Sequence, residues 1–354
     1  MSINKLLRIA QVAPVIFPTP PVDHGGTERV VSDLTEALVA LGHDVTLYAP
    51  SDSVTSARLR SAHPSLSALE RAAGGPVAPG VPGVLEAAQL DMVARAIDEH
   101  DIVHVHGEFA HAAVLAGRPA LTTIHWRVDE LDRKLFFAHF DRLQVAAISG
   151  AQAADIPASN LAGVVHHGIA EDRYRLGDGA GGYLAFIGRM TDQKRPDVAI
   201  RVARAAGRPI RLAGTIDVGN PRYFEDRVRP LLGTDAEYVG PVDDGAKQGL
   251  LGDAAALLFP IDWPEPFGLV MIEAMACGTP VIAWDRGSVR EVIEEGVTGF
   301  VVRDETEALA AIARLPSIDR AQVRRRFEAR FGARRMATDY VALYRTVLGA
   351  QDRG

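Results

Sequence analysis

Short apolar runs separated by longer amphipathic stretches recur along the whole chain, and no other feature limits its fold as strongly. In the first half the runs fall at residues 7–12, 45–48, 102–105, 121–124 and 145–148; in the second they fall at 183–187, 209–213, 237–239, 255–259, 280–283 and 299–302. Residues 28–41 and 85–99 instead repeat apolar positions three and four apart and read as helices, the first capped from Thr27. Strand and helix in alternation build a parallel sheet covered on both faces, so the expected class is α/β.

Two stretches break the pattern. Residues 51–83 dissolve into Ser, Ala, Pro and Gly and read as a surface excursion. Residues 168–182 carry Gly168, Gly177, Gly179, Gly181 and Gly182 and precede a fresh strand, which makes them the domain boundary. A chain of 354 residues, 47% hydrophobic and 23% charged, is long enough for two such cores. The expected division is 1–170, 171–332 and a helical tail over 333–354. No period of self-similarity links the halves, so they share architecture only.

A formal charge of -7 supplies no basic field for nucleic acid. Arg324, Arg325, Arg326, Arg330, Arg334 and Arg335 form the one basic run, read as a solvated helix face in preference to a membrane-binding one. Cys277, the single cysteine, excludes an intrachain disulfide, fits a reducing compartment and sits in a packing context. No apolar run reaches the roughly 18 residues that span a bilayer, and the expected location is the cytoplasm.

Several segments carry chemistry. Gly25-Gly26-Thr27-Glu28 follows the first strand and opens a helix, where bare amides favour an anion and glycine permits close approach; a plain tight turn explains it equally well. Gly188-Arg189 and Lys194 follow the strand at 183–187, so two cations lie at the carboxyl edge of the second sheet. The strongest local signal is Glu265-Pro266-Phe267-Gly268-Leu269-Val270-Met271-Ile272-Glu273. It places Glu265 in a loop, Gly268 and Leu269 at a helix start and Glu273 about a turn into that helix.

His104 and His106 share a strand face with His111 nearby, but no carboxylate or cysteine completes a metal set, so structural histidines are favoured. His125 ends the strand at 121–124, where a side chain reaches a ligand above the sheet. Gly177-x-Gly179-x-x-Gly182 matches a dinucleotide fingerprint, yet it precedes a strand rather than a helix and reads as linker.

Together these pieces resemble the retaining glycosyltransferases of family 4, group 1. Gly188-Arg189 with Lys194, the acids at 265 and 273, Ala276-Cys277-Gly278-Thr279-Pro280-Val281 and Gly296-Val297-Thr298-Gly299-Phe300 occur in that family's order and spacing. The resemblance implies a GT-B fold, two Rossmann-like parallel-sheet domains facing a central cleft, with a C-terminal helix crossing back to the first. By position, Arg189 and Lys194 would bind a diphosphate together with Gly188. Glu273 would hold the ribose, and Glu265 with the amides of Phe267, Gly268 and Leu269 would hold the donor sugar. His125 would contact the sugar, and Gly25 and Gly26 would approach the phosphates.

No metal and no cofactor are implied, and the sequence contains no Asp-x-Asp, the metal-diphosphate clamp of the other major glycosyltransferase fold. The donor expected from frequency in the family is a UDP-sugar; the acceptor stays open. One departure is His166-His167-Gly168, where many relatives have Pro-Asn-Gly, which leaves His167 as a candidate acceptor contact. The rival readings are a nucleotide-sugar epimerase on the same fold and a non-catalytic nucleotide-sugar binder. A nicotinamide dehydrogenase is disfavoured by the misplaced glycine fingerprint.

Overall fold

The computed structural model describes residues 5–22, 25–107 and 109–351. The chain divides into two compact units, Met1–Ile169 with Ala333–Gly354, and Ala170–Gly332. Each is built on one parallel sheet. The first contains β1 (Arg8–Val12), β2 (Asp44–Tyr48), β3 (Arg58–Arg60), β4 (Ile102–Val105), β5 (Ala120–Thr123), β6 (Val145–Ala147) and β7 (Leu161–Val164), in the order β3-β2-β1-β4-β5-β6-β7. The second contains β8 (Leu184–Ile187), β9 (Ile210–Ala213), β10 (Ala236–Gly240), β11 (Ala256–Phe259), β12 (Val281–Trp284) and β13 (Gly299–Val302), in the order β10-β9-β8-β11-β12-β13.

Strand order reverses between β1 and β4 in the first sheet and between β8 and β11 in the second. Neighbouring connections leave opposite faces at such a point, which opens a crevice outside the carboxyl ends of the two strands. Every residue of β4, β5, β11 and β12 is buried. Helices cover both sheet faces, so these strands are apolar nearly throughout instead of alternating. His104, Thr122 and Thr123 are the polar exceptions in β4 and β5, and each finds a side-chain partner.

Local chemistry moves several expected boundaries. The first helix spans Gly26–Ala40 behind Gly25, with no side-chain cap, so Thr27 lies inside its first turn instead of capping it. The helix expected at 85–99 runs Val81–Arg95, because Pro82 is tolerated in a first turn, and a separate 3-10 turn covers Ile97–Glu99. Residues 51–83 are more than an excursion. They supply β3 at the sheet edge and a helix, Leu66–Ala73, that the Ser65 side chain caps. The strand is Arg-Leu-Arg and the helix buries no residue, so neither carries a periodic apolar signal.

The basic run is also not one solvated face. Arg324 donates to the carbonyls of Glu171, Tyr174 and Ala276, each at 2.6 Å. Arg335 donates to those of His166 and His167 at 2.9 and 2.8 Å, and Arg330 to that of Glu291. Ala276 ends its helix, where carbonyls lack intrahelical partners and a guanidinium supplies them. Arg325 and Arg326 pair with Asp319 and Glu294 at the surface.

The glycine-rich segment before β8 is docked by the same means. Gly177, Gly179 and Gly181 donate their amides to the carbonyls of Cys277, Gly252 and Asp253, each at 3.0 Å. Arg320 reaches the carbonyls of Gly177, Gly252 and Ala254 at 2.9–3.0 Å and the Thr279 hydroxyl at 2.7 Å. Removing the guanidinium takes the donor from the Gly177 and Ala254 carbonyls, whereas the Gly252 carbonyl keeps the Gly179 amide. Arg320→Met is therefore expected to cost about 3 kcal/mol, read as a lower urea midpoint at unchanged slope. An unchanged midpoint would show that the backbone bonds hold the segment without it.

Candidate functional site

At the strand reversal of the second sheet the expected residues divide into three groups. Beyond β8 the backbone continues beside β9, with Gly188 N bonded to Ala213 O at 3.0 Å and Met190 N to Thr215 O at 2.9 Å. A Cβ on Gly214 would lie 1.9 Å from Gly188 O, so only glycine lets these two chain turns meet. Arg189 leaves this extended stretch half-exposed, 3.9 Å from Asp217, a separation at which an ion pair contributes little.

Lys194 is the centre of the tightest group. Its ammonium pairs with Glu265 Oε2 and lies 5.2 Å from the Phe259 ring centre and 4.9 Å from that of Trp263. Trp263 Nε1 donates to the same Glu265 oxygen at 2.8 Å. Asp262 N bonds to Gln193 O at 2.8 Å, which ties the loop after β8 to the loop after β11.

The loop after β11 is itself clamped. Ser288 donates its amide to Glu265 O at 3.0 Å and its hydroxyl to Phe267 O at 2.9 Å. Gly287, at φ 56°, leaves no room for a side chain, since a Cβ there would fall 2.3 Å from Glu265 O. Gly268 then starts the Leu269–Ala276 helix in a left-handed conformation with no side-chain cap; its carbonyl takes the Met271 amide at 3.0 Å, and no side chain caps the amides of Leu269 and Val270. Lys194, Glu265, Phe267, Gly268 and Leu269 thus share one neighbourhood.

Glu273 stands apart. It is buried and pairs with Lys247 Nζ at 2.8 Å, on the helix Asp244–Gly252. Trp263 and Lys247 escaped the sequence reading. A tryptophan two positions before the first acid was a usable signal, whereas Lys247 is brought to Glu273 by helix packing alone. A cavity of about 420 Å³ beside this region takes in Arg195, Asp197 and Asp262, but not Arg189, Lys194, Glu265 or Glu273. Its charges are largely spent on each other, with Arg195 bonded to both Asp197 and Asp262.

His125, Gly25 and Gly26 belong to the first unit, where the reversal between β1 and β4 opens a cavity of about 730 Å³. Residues just past β1, β4 and β5 line it, including Val15, His106 and His125, with Thr27 and Glu28 from the first helix. Gly25 sets the entry to that helix, and Gly26 is exposed at its start.

The histidines form one polar chain. His106 Nε2 lies 2.8 Å from Gln11 Oε1, and His106 Nδ1 lies 3.0 Å from His125 Nε2. Gln11 Nε2 donates to the Tyr344 hydroxyl at 2.9 Å; that oxygen lies 2.7 Å from His104 Nδ1, and His104 Nε2 lies 2.7 Å from Thr123 Oγ1. An amide oxygen only accepts, so His106 carries its proton on Nε2 and accepts at Nδ1 from His125. His125 is thereby held as the Nε2–H tautomer, with its basic lone pair on Nδ1. His167 stacks on it at 5.1 Å and does not line the cavity. Among the described residues no group of three or more His, Cys, Asp or Glu could hold a metal ion.

Burial holds these rings neutral. It lowers His111 to about 4 and His125 to about 3, and takes His104, His106 and His167 well below their ordinary 6.5. The unfolded chain protonates its histidines near 6.5 while the folded one resists, so their contribution to stability is complete above that pH and is lost as pH falls toward the folded values. His111 alone, shifted from 6.5 to about 4, contributes about 3 kcal/mol across that window. The urea midpoint should fall between pH 7 and pH 5, and His111→Gln should flatten that fall. A midpoint flat over this range in the unaltered protein would show that these rings accept protons when folded.

Comparison with known proteins gives the same picture. A family model described as Glycosyltransferase Family 4 matches residues 24–173, and one described as Glycosyl transferases group 1 matches residues 181–317. The phosphatidyl-myo-inositol mannosyltransferase of Propionibacterium freudenreichii subsp. shermanii is 26% identical over an alignment of 355 positions, covering 88% of this chain and 86% of that protein. The D-inositol 3-phosphate glycosyltransferase of Mycobacterium tuberculosis is 30% identical over 256 residues, which cover 65% of this chain and only about half, 52%, of that protein. The solved structure of AviGT4, a glycosyltransferase involved in avilamycin A biosynthesis, superposes with a TM-score of 0.73 at 26% identity, covering 97% of this chain and 98% of that one. With two parallel-sheet α/β domains and a family match in each, the chain belongs to the group 1, family 4 glycosyltransferases of the GT-B fold.

Proposed function

We propose that this glycosyltransferase moves a hexosyl group from a nucleoside-diphosphate sugar, a UDP-sugar in first place, to a hydroxyl of its acceptor, with retention at the anomeric carbon and without a metal ion. The observation that carries the reading is the group at the second strand reversal: Lys194 paired with Glu265, Trp263 fixing that carboxylate, and the uncapped amides at the start of the Leu269–Ala276 helix beside them. Cation and helix terminus together suit a diphosphate, and a fixed carboxylate suits sugar hydroxyls.

In this reading the donor displaces Glu265 from Lys194. The diphosphate takes the ammonium, Arg189 and the amides near Gly188 and Leu269, while Glu265 turns to the sugar and Glu273 serves the ribose. The acceptor oxygen bonds to the anomeric carbon on the face that the nucleotide leaves, the bond from that carbon to the diphosphate oxygen breaks, and the acceptor proton departs with the diphosphate. Charge builds on the leaving group as that bond breaks, and protein cations in a dry site stabilise it there. UDP rests on its frequency in the family, and the mannosyltransferase relative makes GDP-mannose its first competitor. The buried Cys277, with its thiol pushed up to about 12 mainly by burial, is chemically inert and accords with a cytoplasmic enzyme. Among the described residues no helix is long and apolar enough to cross a membrane.

Thermal-shift titration with UDP-, GDP-, ADP- and dTDP-hexoses in EDTA tests donor and metal together. One nucleotide series should raise the melting temperature in a concentration-dependent way, and Glu273→Ala should abolish the shift. No shift with any of them from folded protein would remove the reading. With the donor so identified, Lys194→Ala should lower kcat by about a hundredfold or more while changing the donor KM less. The reverse pattern would reduce Lys194 to a binding residue. Proton spectra of the first-formed product should show the donor's anomeric configuration; the opposite anomer would exclude retention.

A further inference from the structure

The first-domain cavity has an electrostatic character that limits what it can accept. Its walls are largely apolar, with Val12, Val15, Ile16, Leu90, Phe109 and Ile124 among them. Among the described residues its charged groups are two carboxylates, Glu28 and Glu86, and one cation, Arg133. That cation is spent: Arg133 is buried, paired with Asp132 and lies 4.6 Å from the centre of the Phe109 ring. The other basic groups on the wall are His106, His111 and His125, which burial keeps uncharged. Among the described residues no lysine lines the cavity.

A phosphate brought here would lose its hydration beside two carboxylates and gain no available cation, so its burial is unfavourable. A neutral ring system loses nothing by leaving water and covers apolar wall. The wall does offer hydrogen bonds. His111 is 1% exposed and its Nδ1 has no partner among the described residues. The chain through His106 and Gln11 leaves the His125 lone pair on Nδ1.

We propose that this cavity is the acceptor site and takes a neutral, predominantly apolar molecule bearing hydroxyl groups, and that it discriminates against phosphorylated acceptors. The proposal rests on the glycosyltransferase reading for the word acceptor, and on the cavity alone for the chemistry. It separates this chain from the phosphate-bearing inositols in its relatives' names. The larger part of the ligand packs on the apolar wall, and a hydroxyl meets His111 or His125.

The test uses a matched pair, 1-naphthol and 1-naphthyl phosphate, titrated calorimetrically into the full chain at pH 7.5, with myo-inositol 1-phosphate as a third ligand. 1-Naphthol should bind at least tenfold more tightly than its phosphate, and the inositol phosphate should give no heat at millimolar concentration. Glu86→Arg places a cation in the cavity and should reverse the naphthol preference. If that variant does not fold, Glu86→Gln should narrow the ratio. Equal or tighter binding of either phosphate by the unaltered protein overturns the proposal, as does failure of 1-naphthol to bind. Nucleotide-sugar binding is measured on the same sample. A nucleotide-sugar shift together with phosphate preference sinks only the acceptor class. Naphthol preference without any nucleotide-sugar shift sinks the glycosyltransferase reading and leaves the cavity's chemistry standing.

Discussion

Covering a parallel sheet on both faces is the constraint from which the rest of this protein follows. Strands such as β4 and β11 have no solvated side, so polar chemistry is confined to their ends. The amino ends receive returning helices. The carboxyl ends at a strand reversal are left open, because neighbouring connections depart to opposite faces. Both regions of interest lie there, the large cavity beyond β1 and β4 and the Lys194–Glu265 group beyond β8 and β11. The loops supply the chemistry, and the sheets decide where it can be.

This also explains what could be read from the sequence. Buried strands leave continuous apolar runs, so eleven of the strands were legible as runs of three to six residues. The two that were not, β3 and β7, are edge strands with weak apolar content, Arg-Leu-Arg and Leu-Ala-Gly-Val. Of the residues at the second strand reversal, Glu265 and Lys194 could be placed near one another because each follows a central strand. Their shared partner Trp263 lies only two positions from Glu265 and could have been named from the loop. The Glu273–Lys247 pair could not, because it depends on how two helices pack, and no local spacing encodes that.

The histidines show where sequence reasoning stops. Alternation placed His104 and His106 on one face, and the missing carboxylate argued against a metal. Neither observation reveals that Gln11 and Tyr344, remote in sequence, complete a chain of polar contacts, in which Gln11 fixes the proton on His106. The arginine run was misread for a related reason. Composition records charge, but not the unsatisfied carbonyls that Arg324 and Arg335 find at the ends of neighbouring segments.

The pairing of Lys194 with Glu265 has a consequence for selectivity. An empty site whose principal cation already has a counter-ion projects little net field and gives stray sulfate or free phosphate small reason to enter. In the donor reading, an anion that claims the ammonium strands Glu265 in a largely buried setting unless it brings hydroxyls for that carboxylate. A nucleotide sugar brings both groups at once, whereas a bare nucleotide brings one. In that reading the ion pair favours the intact donor over its own leaving group, and the returning carboxylate is what releases the spent nucleotide.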